Sequence, residues 1–129
     1  MLKIMSRKTR TWLTRMLFPA GQEPDPRFTL ANERTFLAWI RTALAFLAGG
    51  VGAYAIADAG LANREDWVLI AFALPVVACC ICVTAVIRWV RVERAMRTAQ
   101  PLPAPAGAPV LVLIVLLASA FAVHLVMTA

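Results

Sequence analysis

Three long apolar runs organise this chain. From Phe36 to Ala57 the only charge is Arg41; Trp67 to Ile87 and Pro109 to Met127 carry none. About 20 apolar residues cross a hydrocarbon core of roughly 30 Å, so the pattern predicts spanning helices over 36–57, 67–87 and 109–127 within a membrane domain of residues 29–129. Thr29 or Asn32 is the expected cap of the first, since either side chain accepts from free amides of the first turn. Trp67 and Trp89 bracket the second at the depth where indoles settle. Pro75 inside it removes one backbone hydrogen bond and predicts a kink. Pro109 suits a first helical position, where a missing N–H costs nothing. Ahead of these runs, Leu2, Met5, Thr9, Trp12, Leu13, Met16 and Leu17 recur at three- and four-residue steps with basic residues between them. That periodicity predicts a basic amphipathic helix over 1–18 lying at the membrane interface, with a disordered basic tail as the alternative. Residues 19–28, holding Pro19, Gly21, Pro24 and Pro26, read as a linker. The expected fold class is an all-α membrane protein: three transmembrane helices plus the interfacial helix.

Composition agrees. The 129 residues are 61% hydrophobic, above the half expected of a soluble domain. The net charge of +6 comes from 13 Lys and Arg against 7 Asp and Glu. Arg64 alone falls in the first loop; the other basic residues lie on the N-terminal side or in the second loop. Basic loops stay in the cytoplasm, which predicts a cytoplasmic N-terminus and an extracytoplasmic C-terminus. Topology thus accounts for the charge without nucleic acid. A cleavable signal peptide is not expected, because Lys3, Arg7, Lys8, Arg10 and Arg15 interrupt the first apolar stretch. Cys79, Cys80 and Cys82 crowd into one apolar run, a pattern of small packing residues rather than a disulfide framework or zinc site.

Arg41 is the charge that most demands an explanation. A cation inside a spanning helix either snorkels to the headgroups or faces a partner. Arg34 and Arg41 share a helical face with Ala38, Ala45, Ala48, Gly49 and Gly52. Small residues let membrane helices approach closely, so this stripe reads as a helix-contact face with arginines at its mouth. The spacing leaves open whether the contact lies within a chain or between subunits. Glu33 is placed to form a structural ion pair with an arginine of the second helix. Arg88, Arg91, Arg94 and Arg97 recur every three residues where that helix leaves the membrane, and Glu93 can pair with Arg97 at i,i+4. Arg88 and Arg91 joining Arg34 and Arg41 make a basic vestibule for phosphate-type anions, which guanidinium forks bind in pairs. Headgroup contact is the plainer reading. His124 has no acidic neighbour in sequence and is a weak ligand candidate. Nucleotide loops, metal motifs and nucleophile constellations are not found, so neither an enzyme nor a cofactor or metal is expected.

The run Leu30-Ala31-Asn32-Glu33-Arg34-Thr35-Phe36-Leu37-Ala38-Trp39-Ile40-Arg41 resembles the signature of the YidH-like bacterial inner-membrane proteins, a family of unknown function. The same domain forms the membrane part of the eukaryotic vacuolar transporter chaperone complex. The likeness extends over about residues 25–128. It implies a bacterial plasma (inner) membrane protein and matches Glu33 and Arg34 to the motif's charged pair. In the vacuolar complex such subunits form a ring that conducts polyphosphate along basic residues. By resemblance, a homo-oligomer handling phosphate or polyphosphate is implied here, with Arg88 and Arg91 at basic positions of the family. This chain carries no polymerase domain, and Arg41 resembles the bacterial branch. The partners expected are therefore anionic lipid headgroups, further copies of the chain and a phosphate-type anion. A non-transporting accessory protein that docks a partner is the alternative.

Overall fold

A computed structural model describes residues 12–61, 63–104 and 107–128. They form four helices: α1 (Trp12–Leu17), α2 (Pro26–Asp58), α3 (Arg64–Arg97) and α4 (Gly107–Thr128). Three are long and apolar enough to cross a membrane. The chain is an all-α, multi-pass membrane protein. Of the expected interfacial helix, only α1 lies within the described residues; there Trp12, Leu13 and Met16 are exposed.

The helix ends differ from the sequence expectation at the start of α2, at the end of α3 and at the start of α4, where Gly107 rather than Pro109 is the first helical residue. α2 starts at Pro26, capped by Asp25, whose Oδ1 accepts from the Arg27 amide at 2.9 Å. An acidic cap followed by proline at the first helical position is a favourable start. Thr29 and Asn32 therefore lie inside the helix rather than capping it. Asn32 is buried, and its Nδ2 donates to the Trp89 carbonyl of α3 at 3.2 Å. α3 runs unbroken through Pro75 to Arg97, some ten residues beyond its apolar run.

α2 and α3 form an antiparallel pair. On α2 the buried positions Asn32, Ala43, Gly50, Ala53 and Ala57 align with half-buried Phe36, Trp39 and Phe46, while half-buried Thr29, Thr35, Ile40, Thr42 and Ile56 flank that line. Steps along the line alternate four and three, the 3.5-residue period of a left-handed coiled seam. Ala43 packs with Ala78 and Ile81 at its centre. Further along, a Cβ on Gly50 would lie 2.6 Å from Pro75 Cδ. Only glycine lets the two backbones come so close there. The stripe read from sequence as the contact face lies largely outside this seam: Ala38, Ala45, Ala48, Gly49 and Gly52 are all exposed, and only Gly49 borders α3, where a Cβ would lie 3.2 Å from Leu74. A Cβ at Gly52 would meet nothing within 4 Å.

α4 is peripheral. None of its described side chains is buried. It touches the pair through Leu111 and through Gly107, where a Cβ would lie 3.1 Å from the Trp39 ring. This helix serves as a ruler for the membrane. Its 22 uncharged residues extend about 33 Å, matching a hydrocarbon core of about 30 Å. Since α4 begins level with Trp39, the border on the basic side passes near that residue. The first turns of α2 and the last of α3 project beyond it, the α2 part by roughly 20 Å.

Candidate functional site

Two groups of polar side chains occupy this basic end. The first is a closed cluster. Glu93 is 1% exposed. Its Oε1 accepts from Arg97 Nη2 at 3.0 Å and Nε at 3.2 Å. Both donors reach the same oxygen, so among the described residues Oε2 stays buried without a partner, as does Trp89 Nε1 four residues earlier. The segment after α1 covers them. Phe18, 5% exposed, stands edge-on to the Trp89 ring at 5.8 Å and lies 4.6 Å from the Arg97 guanidinium. Arg94 Nε donates to the Leu17 carbonyl at 3.2 Å, and the Gln22 amide donates to the Arg97 carbonyl at 3.1 Å. Gly21, at φ +98°, lies against the Arg97 backbone where a Cβ has no room. This is the position at which the chain turns to cross the end of α3. The arrangement holds helix ends together in water, with a cation–π contact and aromatic burial at its centre.

The pairing differs from the sequence expectation. Glu33 is exposed and makes no ion pair among the described residues. Glu93 takes the arginine instead. The Glu93–Arg97 spacing was legible in sequence; its burial was not, because that depends on Phe18 folding back across a linker.

The second group is the set of arginines proposed to line a vestibule. The structure separates them. At about 100° per residue, Arg34 lies about 160° round α2 from both Asn32 and Phe36. Arg41 stands in the same relation to Trp39 and Ala43. Both therefore project from the side of α2 opposite α3, and both are exposed. Arg88 and Arg91 instead line a groove of about 590 Å³ between α3 and α4, with Trp39 and Leu111 in its wall. Among the described residues the two pairs stand on opposite sides of the helix pair, and Arg34 and Arg41 take no part in the groove. Among the described residues, none of the four side chains makes a hydrogen bond or ion pair. Arg41 lies two residues past Trp39, about 3 Å inside the membrane border, within reach of the headgroups.

Residues 27–95 match the family model described as a domain of unknown function (DUF202). The chain is similar to the inner membrane protein YidH of Escherichia coli strain K12, at 42% identity over 109 residues, covering 84% of this chain and 94% of that protein. YidH of Shigella flexneri matches equally. An uncharacterized protein of Mycobacterium tuberculosis strain H37Rv is 44% identical over 81 residues, 63% of this chain and 66% of its own length. No solved structure gives a significant match.

Proposed function

This chain belongs to the DUF202 family, which includes the YidH proteins, and from that premise we propose that it is a non-enzymatic inner-membrane subunit of a homo-oligomer that binds or conducts phosphate-type anions. The observation that carries the reading is the placement of Arg34 and Arg41. They are unpartnered among the described residues and head an exposed face of small residues, Ala38, Ala45, Ala48, Gly49 and Gly52. In an isolated chain that face meets lipid and leaves Arg41 at an apolar border, where a cation is costly. A second copy docked on it gains close backbone approach and sets arginines of neighbouring subunits side by side, as paired forks for phosphate oxygens. The basic end faces the cytoplasm under this reading; the relatives' name supports the membrane assigned. Reconstituted vesicles are expected to show phosphate or polyphosphate flux that falls at least tenfold with Arg34→Ala and Arg41→Ala. Flux indifferent to both substitutions rejects it. A reporter fused after Ala129 is expected to be active only outside the cytoplasm.

A second reading has its own observation. Arg88 and Arg91 lie across the chain from Arg34 and Arg41, beside an apolar groove. This favours an accessory protein that docks a partner and binds anionic lipid headgroups. It predicts no flux and a lipid preference governed by Arg88 and Arg91.

A further inference from the structure

We propose that the groove between α3 and α4 is a binding site for one anionic phospholipid, its phosphate held by Arg88 and Arg91 and one acyl chain laid along the groove. The inference rests on the headgroup-binding reading and deepens it by naming the site and the occupant.

Three observations converge. The first is charge. The groove's two arginines stand together at one end, and neither has a partner among the described residues. Arg94 and Arg97, the next two, are engaged with Leu17 and Glu93. Two guanidinium groups one helical step apart offer several N–H donors to a phosphate, which binds such forks in pairs.

The second is the wall. Below the arginines run Ile87, Thr84, Cys80 and Val76 of α3, facing Val110 and Ile114 of α4. Thr84 turns its hydroxyl back onto its own helix, donating to the Cys80 and Ile81 carbonyls at 2.9 Å. The polar atom in the wall is thereby satisfied, and an apolar surface faces the groove.

The third is depth and size. Arg88 lies on the water side of the border marked by Trp39 and the start of α4, at headgroup level. From Arg88 to Val76 the groove descends about 18 Å along α3, from headgroup level into the roughly 15 Å of one leaflet's hydrocarbon. Its volume of about 590 Å³ falls in the range of small-molecule sites. A soluble anion would fill the mouth and leave the apolar trough empty. A zwitterionic lipid would fill the trough and present the same phosphate, but its cationic headgroup is repelled by the two arginines and offsets part of the gain. An anionic phospholipid fits both.

The test is native mass spectrometry of the full chain released from micelles containing phosphatidylglycerol and phosphatidylcholine with identical acyl chains. Phosphatidylglycerol retention is expected to exceed that of phosphatidylcholine by about tenfold, the scale set by basic residues at an anionic surface. Arg88→Ala with Arg91→Ala is expected to bring the ratio close to one, while Arg27→Ala leaves it unchanged. Cys80→Trp, and separately Val110→Trp, block the trough from opposite walls with both arginines intact; each is expected to lower phosphatidylglycerol retention about tenfold. Helicity by circular dichroism identifies a variant that has failed to fold, and the other then carries the test. Equal retention of the two lipids, or full retention in a folded trough variant, overturns the proposal. So does displacement of phosphatidylglycerol by an equal concentration of glycerol phosphate, which would leave the anion-binding reading standing without the lipid. Retention of neither phosphatidylglycerol nor glycerol phosphate would remove both this proposal and the headgroup-binding reading on which it rests.

Discussion

The α2–α3 pair is held by different physics at its two ends. In the projecting basic half the ties are polar and aromatic: Asn32 to the Trp89 carbonyl, Glu93 to Arg97, Phe18 over both. In the membrane half they are small and apolar: Ala43 on Ala78 and Ile81, and Gly50 on Pro75. Water makes the difference. Outside the bilayer, burying Phe18 and Trp89 removes apolar area from water and stabilises the packed form. Inside it, lipid is as apolar as a side chain, so association rests on close backbone approach and dispersion. The same two helices change their adhesive where they cross the border near Trp39.

The largest expected effect is in the basic half. Arg97→Ala leaves the Glu93 carboxylate buried without a partner among the described residues and is expected to destabilise the pair by about 3–5 kcal/mol. The readout is a denaturation midpoint in mild detergent. Adding Glu93→Leu to that variant is expected to recover most of the loss, because a hydrophobic residue needs no counter-ion; failure to recover would mean that the packing of Arg97, rather than its charge, holds the cluster.

Next is the membrane half. Gly50→Val forces methyl groups into Pro75 and is expected to cost about 1–3 kcal/mol. A loss confined to the membrane half, with hydrogen exchange at the Gln22 amide unchanged, would show that the two ends are held independently.

A smaller effect lies beyond α3. Ala99 sits at φ +53°, just past the helix end, where the Gln100 amide closes onto the Ala95 carbonyl at 3.0 Å. Glycine suits that left-handed position better. Ala99→Gly is expected to raise stability by up to about 1 kcal/mol, seen as a higher midpoint.

The smallest intrachain effect distinguishes the two faces of α2. Gly52→Val meets nothing within 4 Å and is expected to change chain stability by less than about 0.5 kcal/mol. If the outward stripe joins subunits, the same substitution lowers oligomer mass in light scattering while the folded chain persists; unchanged mass removes the stripe from the interface.

Much of this molecule was legible from residue order. Hydropathy alone located the three spans, since the hydrocarbon thickness sets a length that few other structures need. The Asn32-Glu33-Arg34 stretch carried the family. The Glu93–Arg97 pair followed from helical spacing. Other features were only half visible. Asp25-Pro26 is a good helix start, but it lies in a proline-rich run that reads as linker, so the true cap is hidden there. Asn32 looked like a cap because asparagine often is one; its actual role depends on Trp89, distant in sequence.

The chain by itself therefore determined what lies in the membrane and which residues share a face of each helix, because those depend on local composition and on a fixed angle per residue. Only the tertiary structure decided which face meets which. α2 carries two stripes of small residues, one at Ala43, Gly50, Ala53 and Ala57 and one at Ala38, Ala45, Ala48, Gly49 and Gly52. Periodicity ranks them alike. The first prevailed inside the chain because α3 offers Pro75 and Ala78 to pack against it and Trp89 to take Asn32's hydrogen bond. That choice turned Arg34 and Arg41 outward, left Arg88 and Arg91 over the α4 groove, and separated one expected vestibule into two surfaces.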